Sequence, residues 1–224
     1  MHDLRDIAET LHDLRQPLSA ARLFNATLQS RAPPDLQKDL RALTEGVENS
    51  LLAAEELLDG LLDLARLDAG AYHARPVRFP VGPMLDSLEL QFAPLARQRS
   101  IDFNVQRTRV MAYSDPQLLR RVLQNLISNA LRYTQAGQVI VGVRRRRSAT
   151  LELQVCDTGP GVTLGPSPSP WGEQGHGLGL SICRRIASSL GAELTLQSEP
   201  KRGSVFGICI PQSRDAQCLA TGLR

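Results

Sequence analysis

Between residues 3 and 70, apolar side chains return every three or four positions and almost nothing breaks a helix. Leu4, Ile7, Leu11, Leu14, Leu18, Ala21 and Leu28 form one stripe, interrupted only at Asn25. After Arg31-Ala32-Pro33-Pro34 a second stripe runs through Leu40, Leu43, Val47, Ala54, Leu57, Leu61 and Leu64. Such spacing marks amphipathic helices with heptad-like seams, and a double proline stops a helix. The pattern predicts an antiparallel hairpin of two long helices, closed by Gly70 as C-cap. One hairpin cannot cover both of its apolar stripes. Two hairpins closing into a homodimeric four-helix bundle would do so. The alternative is that the stripe packs on the second half of the same chain.

From Val77 the texture becomes mixed α/β. Helices are predicted over residues 83–97, 116–133 and 178–190. Asp115 is placed as N-cap and Pro116 as the first helical residue of the second of these. Strands are predicted over 101–105, 110–113, 138–145, 150–156, 193–197 and 204–210. The fourth and third from last form one hairpin, and the last two form another across Pro200-Lys201-Arg202-Gly203. This order suggests a two-layer sandwich with helices on one face of a mixed sheet. The expected domains are a helical hairpin (1–74), an α/β domain (75–212) and a tail or linker (213–224).

Composition narrows the class. At 224 residues the chain is long enough for one or two domains with a sizeable core. No apolar run reaches the ~20 residues that span a bilayer, and Met1 opens no signal-peptide pattern. No membrane contact is expected from this segment, and a cytoplasmic location is. The net charge of +3 requires no polyanionic partner. The run Arg144–Arg147 is read as a solvated hairpin end; nucleic-acid binding would want a wider basic face with interleaved aromatics, and aromatics are scarce. Cys156, Cys183, Cys209 and Cys218 form no CxxC pair and have no metal-ligand spacing. They read as small apolar residues in a reducing compartment, with Cys218 the most exposed.

The candidate chemistry lies in two glycine clusters. Asp157-Thr158-Gly159-Pro160-Gly161 follows a strand, and Gly175-His176-Gly177-Leu178-Gly179-Leu180 runs into a helix. Glycine allows positive φ and close backbone approach to a ligand. A glycine turn that opens a helix offers free N–H groups and a positive dipole end to phosphates. A helix bearing Asn125 and Asn129, four residues apart and so on one face, lies upstream. Together these features point to a nucleotide.

Five motifs, in order over residues 3–211, resemble those of sensor histidine kinases. His12-Asp13-Leu14-Arg15-Gln16-Pro17-Leu18 resembles the H-box, in a spelling similar to that of many hybrid kinases. Asn125-Leu126-Ile127-Ser128-Asn129-Ala130-Leu131-Arg132-Tyr133-Thr134 resembles the N-box. Asp157–Gly161 and Gly175–Leu180 resemble the G1 and G2 boxes, and Gly203-Ser204-Val205-Phe206 the glycine motif of the last strand. The resemblance implies a dimeric four-helix bundle joined to a GHKL (Bergerat-type) ATP-binding sandwich. It implies ATP and Mg²⁺ as cofactors, a homodimer, and a response-regulator receiver domain as partner, the chain being the cytoplasmic core of a larger sensor.

The resemblance makes His12 the phosphoacceptor. A neutral imidazole, with an ordinary pKa of about 6.5, is a good nucleophile near neutral pH. Asp13 is implied to take the ring proton or orient the ring. Gln16 lies one turn on, at a position linked in relatives to dephosphorylation of the partner. Pro17 removes a helical hydrogen bond and clashes with the Asp13 carbonyl, so a kink beside His12 is expected. Asn129 is implied as the Mg²⁺ ligand, its amide oxygen suiting a hard cation. Asn125 shares its face, and Arg132 and Tyr133 flank the nucleotide. Asp157 is implied to accept from the adenine amino group with Ser204 assisting through water. Gly159, Gly161, Gly175, Gly177, Leu178 and Gly179 complete the nucleotide site.

At the Asn125 position, ATPases of the same fold class carry a glutamate that activates water. Asparagine cannot act as that base, so transfer to a side chain is expected rather than hydrolysis. The main departure is the ATP lid. Only Val162–Gln174 separates the glycine clusters, with Pro166, Pro168 and Pro170 alternating with small residues, and Trp171 as the sole aromatic. An extended loop is expected. That departure keeps open an alternative: a weakly active or inactive kinase serving as a dimeric nucleotide-binding scaffold.

Overall fold

The computed structural model describes residues 18–28, helical positions between 44 and 58, 74–161 except 148, and 177–213. The chain divides into two compact units, 1–72 and 73–224.

In the first unit residues 18–28 form a helix (α1), and residues 44, 46, 47, 50, 51, 54 and 58 are helical positions of a second (α2). Asn25, the polar break in the first stripe, is buried, and its side-chain amide donates to the Thr44 carbonyl of α2 at 2.8 Å. Thr44 is itself buried, whereas Val47 of the expected stripe is exposed. The polar interruption is therefore a contact that ties the two helices in register. Leu23, Phe24 and Leu28 lie 60–70% exposed on α1.

In the second unit the elements run β1 (Val77–Pro80), α3 (Val81–Gln98), β2 (Ile101–Val105), β3 (Met111–Ser114), α4 (Pro116–Tyr133), β4 (Gly137–Arg145), β5 (Thr150–Asp157), α5 (Gly177–Leu190), β6 (Glu193–Glu199) and β7 (Gly203–Pro211). Five strands form one mixed sheet in the order β2-β4-β5-β7-β6, parallel only between β2 and β4. Strand β1 went unread in the sequence. It has four residues, ends in proline and pairs only with β3, in a separate two-stranded sheet.

Alternation along the strands assigns the faces. Val139 and Val141 of β4, Leu151, Leu153 and Val155 of β5, and Ile208 and Ile210 of β7 are fully buried. Register places Leu153 opposite Ile208 and Val155 opposite Phe206. Against this face α4 buries Leu119, Leu123, Leu126 and Ile127, and α5 buries Ile182, Cys183 and Ile186. Trimming one such Leu or Ile to Ala costs about 2–5 kcal/mol. The start of α4 is fixed as its sequence implies: Asp115 Oδ1 accepts from the Gln117 and Leu118 amides at 2.9 and 3.1 Å, with Pro116 at the first position.

The opposite face holds a polar cluster that the sequence did not announce. Glu152 on β5 is 1% exposed. Its carboxylate accepts from Arg146 Nε at 2.8 Å, Gln154 Nε2 at 2.7 Å and Thr195 Oγ1 at 2.7 Å, and pairs with Arg146 Nη2 at 2.8 Å. The arginine run is thus not wholly a solvated hairpin end, because Arg146 holds a buried carboxylate. Burial alone would raise the Glu152 pKa, but the hydrogen bonds from Arg146 and Thr195 and the Arg146 charge outweigh it, and the net shift is downward. Cys156, Cys183 and Cys209 form no disulfide; Cys156 and Cys209 are half-buried, Cys183 is buried with its Sγ donating to the Val122 carbonyl at 3.8 Å, and Cys218 lies outside the described residues.

Candidate nucleotide site

Three segments of the second unit carry the candidate residues. Helix α4 brings the first. Its apolar positions face the sheet, which leaves Asn125 and Asn129, one turn apart, half-buried on the flank. The second is the N-terminal turn of α5: a Cβ built on Gly179 would lie 3.5 Å from Asn129 Nδ2 and 3.8 Å from Asn125 Oδ1. The helix thus opens directly beside both asparagines, where its free N–H groups and dipole favour an anion. Asn125 Nδ2 is buried without a hydrogen-bond partner. A buried amide donor is costly to leave unpaired, so an acceptor from outside the chain fits this position.

The third segment is the loop Asp157–Gly161. Asp157 Oδ1 accepts from the Gly159 amide at 2.9 Å. Burial raises the Asp157 pKa from its ordinary value, partly offset by the backbone N–H groups of Gly159 and Ser204. The loop is anchored on both sides. Thr158 Oγ1 accepts from the Gln138 amide at 2.9 Å, and the Lys201 amide donates to the Pro160 carbonyl at 2.7 Å. Gly161 has φ +72°, and a Cβ there would run into the Glu199 carbonyl. Gly203 has φ +96°, and its Cβ would strike the Asp157 carbonyl. Only glycine suits either position, and both hold the β6–β7 turn against the Asp157 loop.

Ser204 is buried and directly opposite Asp157 in the β5–β7 register. Its hydroxyl is 3.0 Å from Ser198 Oγ, which already donates to the Gly203 carbonyl at 3.1 Å. The Ser204 hydroxyl is thus held by Ser198, and its remaining hydrogen-bonding capacity faces the site. At the end of α4, Arg132 and Tyr133 are exposed, the Arg132 guanidinium standing 5.8 Å from the Tyr133 ring centroid. Arg99 Nη1 donates to the Leu131 carbonyl at 3.1 Å and so closes the last turn of α4. Sequence reasoning gave no role to Arg99, nor to Thr134, which follows Tyr133. Neither carries a composition signal, because an isolated arginine after a helix has many possible partners.

The structure brings Asn125, Asn129 and Gly179 together along α4, and Asp157, Gly159 and Ser204 together beside the helix's C-terminal end. Gly177 and Leu178 begin α5, and of their side chains nothing is described. Gly161 lies against the β6–β7 turn. His12, Asp13, Gln16, Pro17, Gly175, Trp171 and the lid Val162–Gln174 lie outside the described residues. Among the described residues no cluster of three or more His, Cys, Asp or Glu could hold a metal. The donor chemistry nevertheless fits Mg²⁺ carried on a nucleotide, with one amide oxygen from Asn129 and the remaining oxygens from phosphate and water.

An asparagine-bearing helix, a half-buried carboxylate after a strand and a glycine-opened helix define an ATPase-type nucleotide-binding domain. Comparison with known proteins agrees. The family model described as "Histidine kinase-, DNA gyrase B-, and HSP90-like ATPase" matches residues 114–214, and that described as "His Kinase A (phospho-acceptor) domain" matches residues 7–70. The chain belongs to the sensor histidine kinases and carries the two domains of their catalytic core. The adaptive-response sensory kinase SasA of Synechococcus sp. (strain JA-2-3B'a(2-13)) is 30% identical over 224 residues, covering 94% of this chain and 59% of that protein. The virulence sensor protein BvgS of Bordetella bronchiseptica is also 30% identical, over 90% of this chain and 18% of its own length. The chain thus spans less than two thirds of the length of these two curated relatives. In fold it is similar to full-length ShkA, crystallised with AMPPNP (TM-score 0.64, 24% identity, 92% of this chain and 45% of that one). It is also similar to the histidine kinase AdeS of Acinetobacter baumannii (TM-score 0.60, 22% identity, 91% and 98%).

Proposed function

We propose that the chain is an ATP-dependent kinase core that phosphorylates its own His12 and passes the phosphoryl group to an aspartate of a response-regulator receiver domain. One observation carries this reading. The chain that holds the phospho-acceptor match over His12 also sets Asn125 and Asn129 of α4 beside Gly179 at the start of α5, and the Asp157 loop beside the C-terminal end of the same helix. Asp157 accepts from the exocyclic amine of adenine. The α5 N-terminus and Arg132 face the phosphates. Asn129 would hold Mg²⁺, which when bound would neutralise phosphate charge.

In the transfer a His12 ring nitrogen attacks the γ-phosphorus. The N–P bond forms as the bond from γ-phosphorus to the β,γ-bridging oxygen breaks, ADP leaves, and Asp13 takes the ring proton. Catalysis rests on positioning and charge neutralisation. Asn125 supplies no base for water, which favours transfer over hydrolysis. Gln16 is proposed to tune loss of phosphate from the partner regulator. Exposed Leu23, Phe24 and Leu28 support a homodimeric bundle, in which they would be covered. The proposed domain limits are 1–74, 75–212 and a 213–224 tail. No helix among the described residues is long and apolar enough to cross a membrane, and we place this segment on the cytoplasmic side of a larger sensor.

Incubation with γ-labelled ATP and Mg²⁺, beside a His12→Ala variant, tests the reading. The expected label is acid-labile, alkali-stable and absent from the variant. ATP binding with no label would overturn it in favour of the nucleotide-binding scaffold, which the short lid favours.

A further inference from the structure

Thr134 is the one polar side chain at this site that the reading above leaves without work. It caps the end of α4 in extended conformation (φ −77°, ψ 116°), with its N–H donating to the Ala130 carbonyl at 3.1 Å. Its backbone is therefore fixed. The side chain is 3% exposed, and Oγ1 is buried with no hydrogen-bond partner. A threonine hydroxyl at the end of a helix normally finds a nearby carbonyl or water. This one is turned instead toward the Asp157 loop. A Cβ built on Gly159 would lie 3.2 Å from Thr134 Oγ1 and 2.9 Å from Asp157 Oδ1. The hydroxyl and the carboxylate thus flank one point, and Gly159 keeps the space between them free.

We propose that Thr134 and Asp157 together read the nucleobase: Asp157 accepts from the exocyclic amine, and the Thr134 hydroxyl donates to the ring nitrogen beside that amine. This rests on the nucleotide reading of the site and adds a specificity-determining residue to it. The pair is complementary to a 6-aminopurine, which presents a donor next to an acceptor. A 6-oxopurine presents the reverse pattern, an acceptor toward the carboxylate and an N–H toward the hydroxyl. Leaving a buried donor unmatched is what makes such a site discriminate.

The test uses the full chain and measures binding of ATP and of 1-deaza-ATP, which keeps the amine but lacks the ring acceptor. It also follows the unfolding temperature without nucleotide. Thr134→Val, of nearly equal shape, should weaken ATP about tenfold while leaving 1-deaza-ATP unchanged. Wild type should prefer ATP over 1-deaza-ATP by a similar factor, and Thr134→Ser should restore that preference. Equal weakening of both nucleotides, or a shifted unfolding temperature with unaltered preference, would assign Thr134 to structure and overturn the proposal. Failure of wild type to bind either nucleotide would instead overturn the nucleotide reading itself, and the proposal with it.

Discussion

Strand β5 carries two acidic side chains, Glu152 and Asp157, whose fates diverge. Glu152 is almost fully buried, yet its two oxygens are met by Arg146, Gln154 and Thr195. Asp157 is half-buried, and the donors that offset its burial are the backbone N–H groups of Gly159 and Ser204. Burial pushes both carboxyls up. At Glu152 the partners reverse the push, and at Asp157 they do not. The lesson is about completeness: a carboxylate whose lone pairs are all matched by its own chain is structural. One kept close to donors but incompletely matched has capacity for a ligand. The two lie on opposite faces of the sheet, Glu152 away from the helices and Asp157 with them.

Asp157→Asn should break the comparison most strongly. The amide matches the neutral form that burial favours, and its oxygen still accepts from Gly159. ATP affinity should fall about ten- to a hundredfold, as expected for losing a hydrogen bond to a charged acceptor. The fold should hold, and near neutral pH it should gain stability. The sign follows from linkage: a raised folded pKa means stability is fully present below the unfolded value and is lost as pH rises through the folded one. The variant escapes that loss. Titration calorimetry with ATP and a thermal melt at pH 7 check both halves. Retained affinity, or a lower melting temperature, would sink the functional assignment of this carboxyl.

Glu152→Gln is the mirror image. It leaves Arg146 facing an amide in place of a carboxylate and should cost about 2 kcal/mol of stability with ATP affinity unchanged. Here the folded pKa is lowered, so the stabilisation is present above the unfolded glutamate range and disappears as pH falls through the folded value. The gap in melting temperature between wild type and variant should therefore be widest near neutrality and close below about pH 4. A gap that grows toward acid would contradict the assigned direction of the shift.

How much of this was legible beforehand varies with the kind of interaction. Asp115-Pro116 announced the start of α4, because a cap and a φ-restricted first residue act locally. The alternation in β4, β5 and β7 announced the sheet. Asp157 and the glycines stood out because positive φ and close approach leave few residue choices. Glu152 did not stand out, because its partners come from the β4–β5 turn and from β6, 43 residues away. Strand β1 is too short and too close to prolines to carry a period. Asn25 was legible as an interruption and not as a contact, since its partner is a backbone carbonyl that any residue at 44 would supply. Thr134 sat in a quoted motif without a role, because an unpaired hydroxyl is visible only once its surroundings are placed.

Arg99 offers the smallest and sharpest contrast with both carboxylates, since it works on the site without belonging to it. It follows α3 and donates to the Leu131 carbonyl, a contact that neutralises one of the acceptors left open at the C-terminal end of α4. A cation at a helix C-terminus is worth about 0.3–1 kcal/mol. The last turn it steadies carries Arg132, Tyr133 and Thr134, whereas Asn125 and Asn129 lie in turns with complete internal bonding. Arg99→Ala should therefore lower stability only slightly, and ATP affinity about two- to fivefold through looser placement of that end. Arg99→Lys should recover part of the loss, because it keeps the charge but forfeits the planar donor geometry. Equal effects on binding of ATP and 1-deaza-ATP would locate the damage in the whole turn. An Arg99→Ala protein that binds ATP as wild type does would show that α4 holds its last turn without help, and that the positioning of Thr134 comes from Gly159 and the Asp157 loop alone.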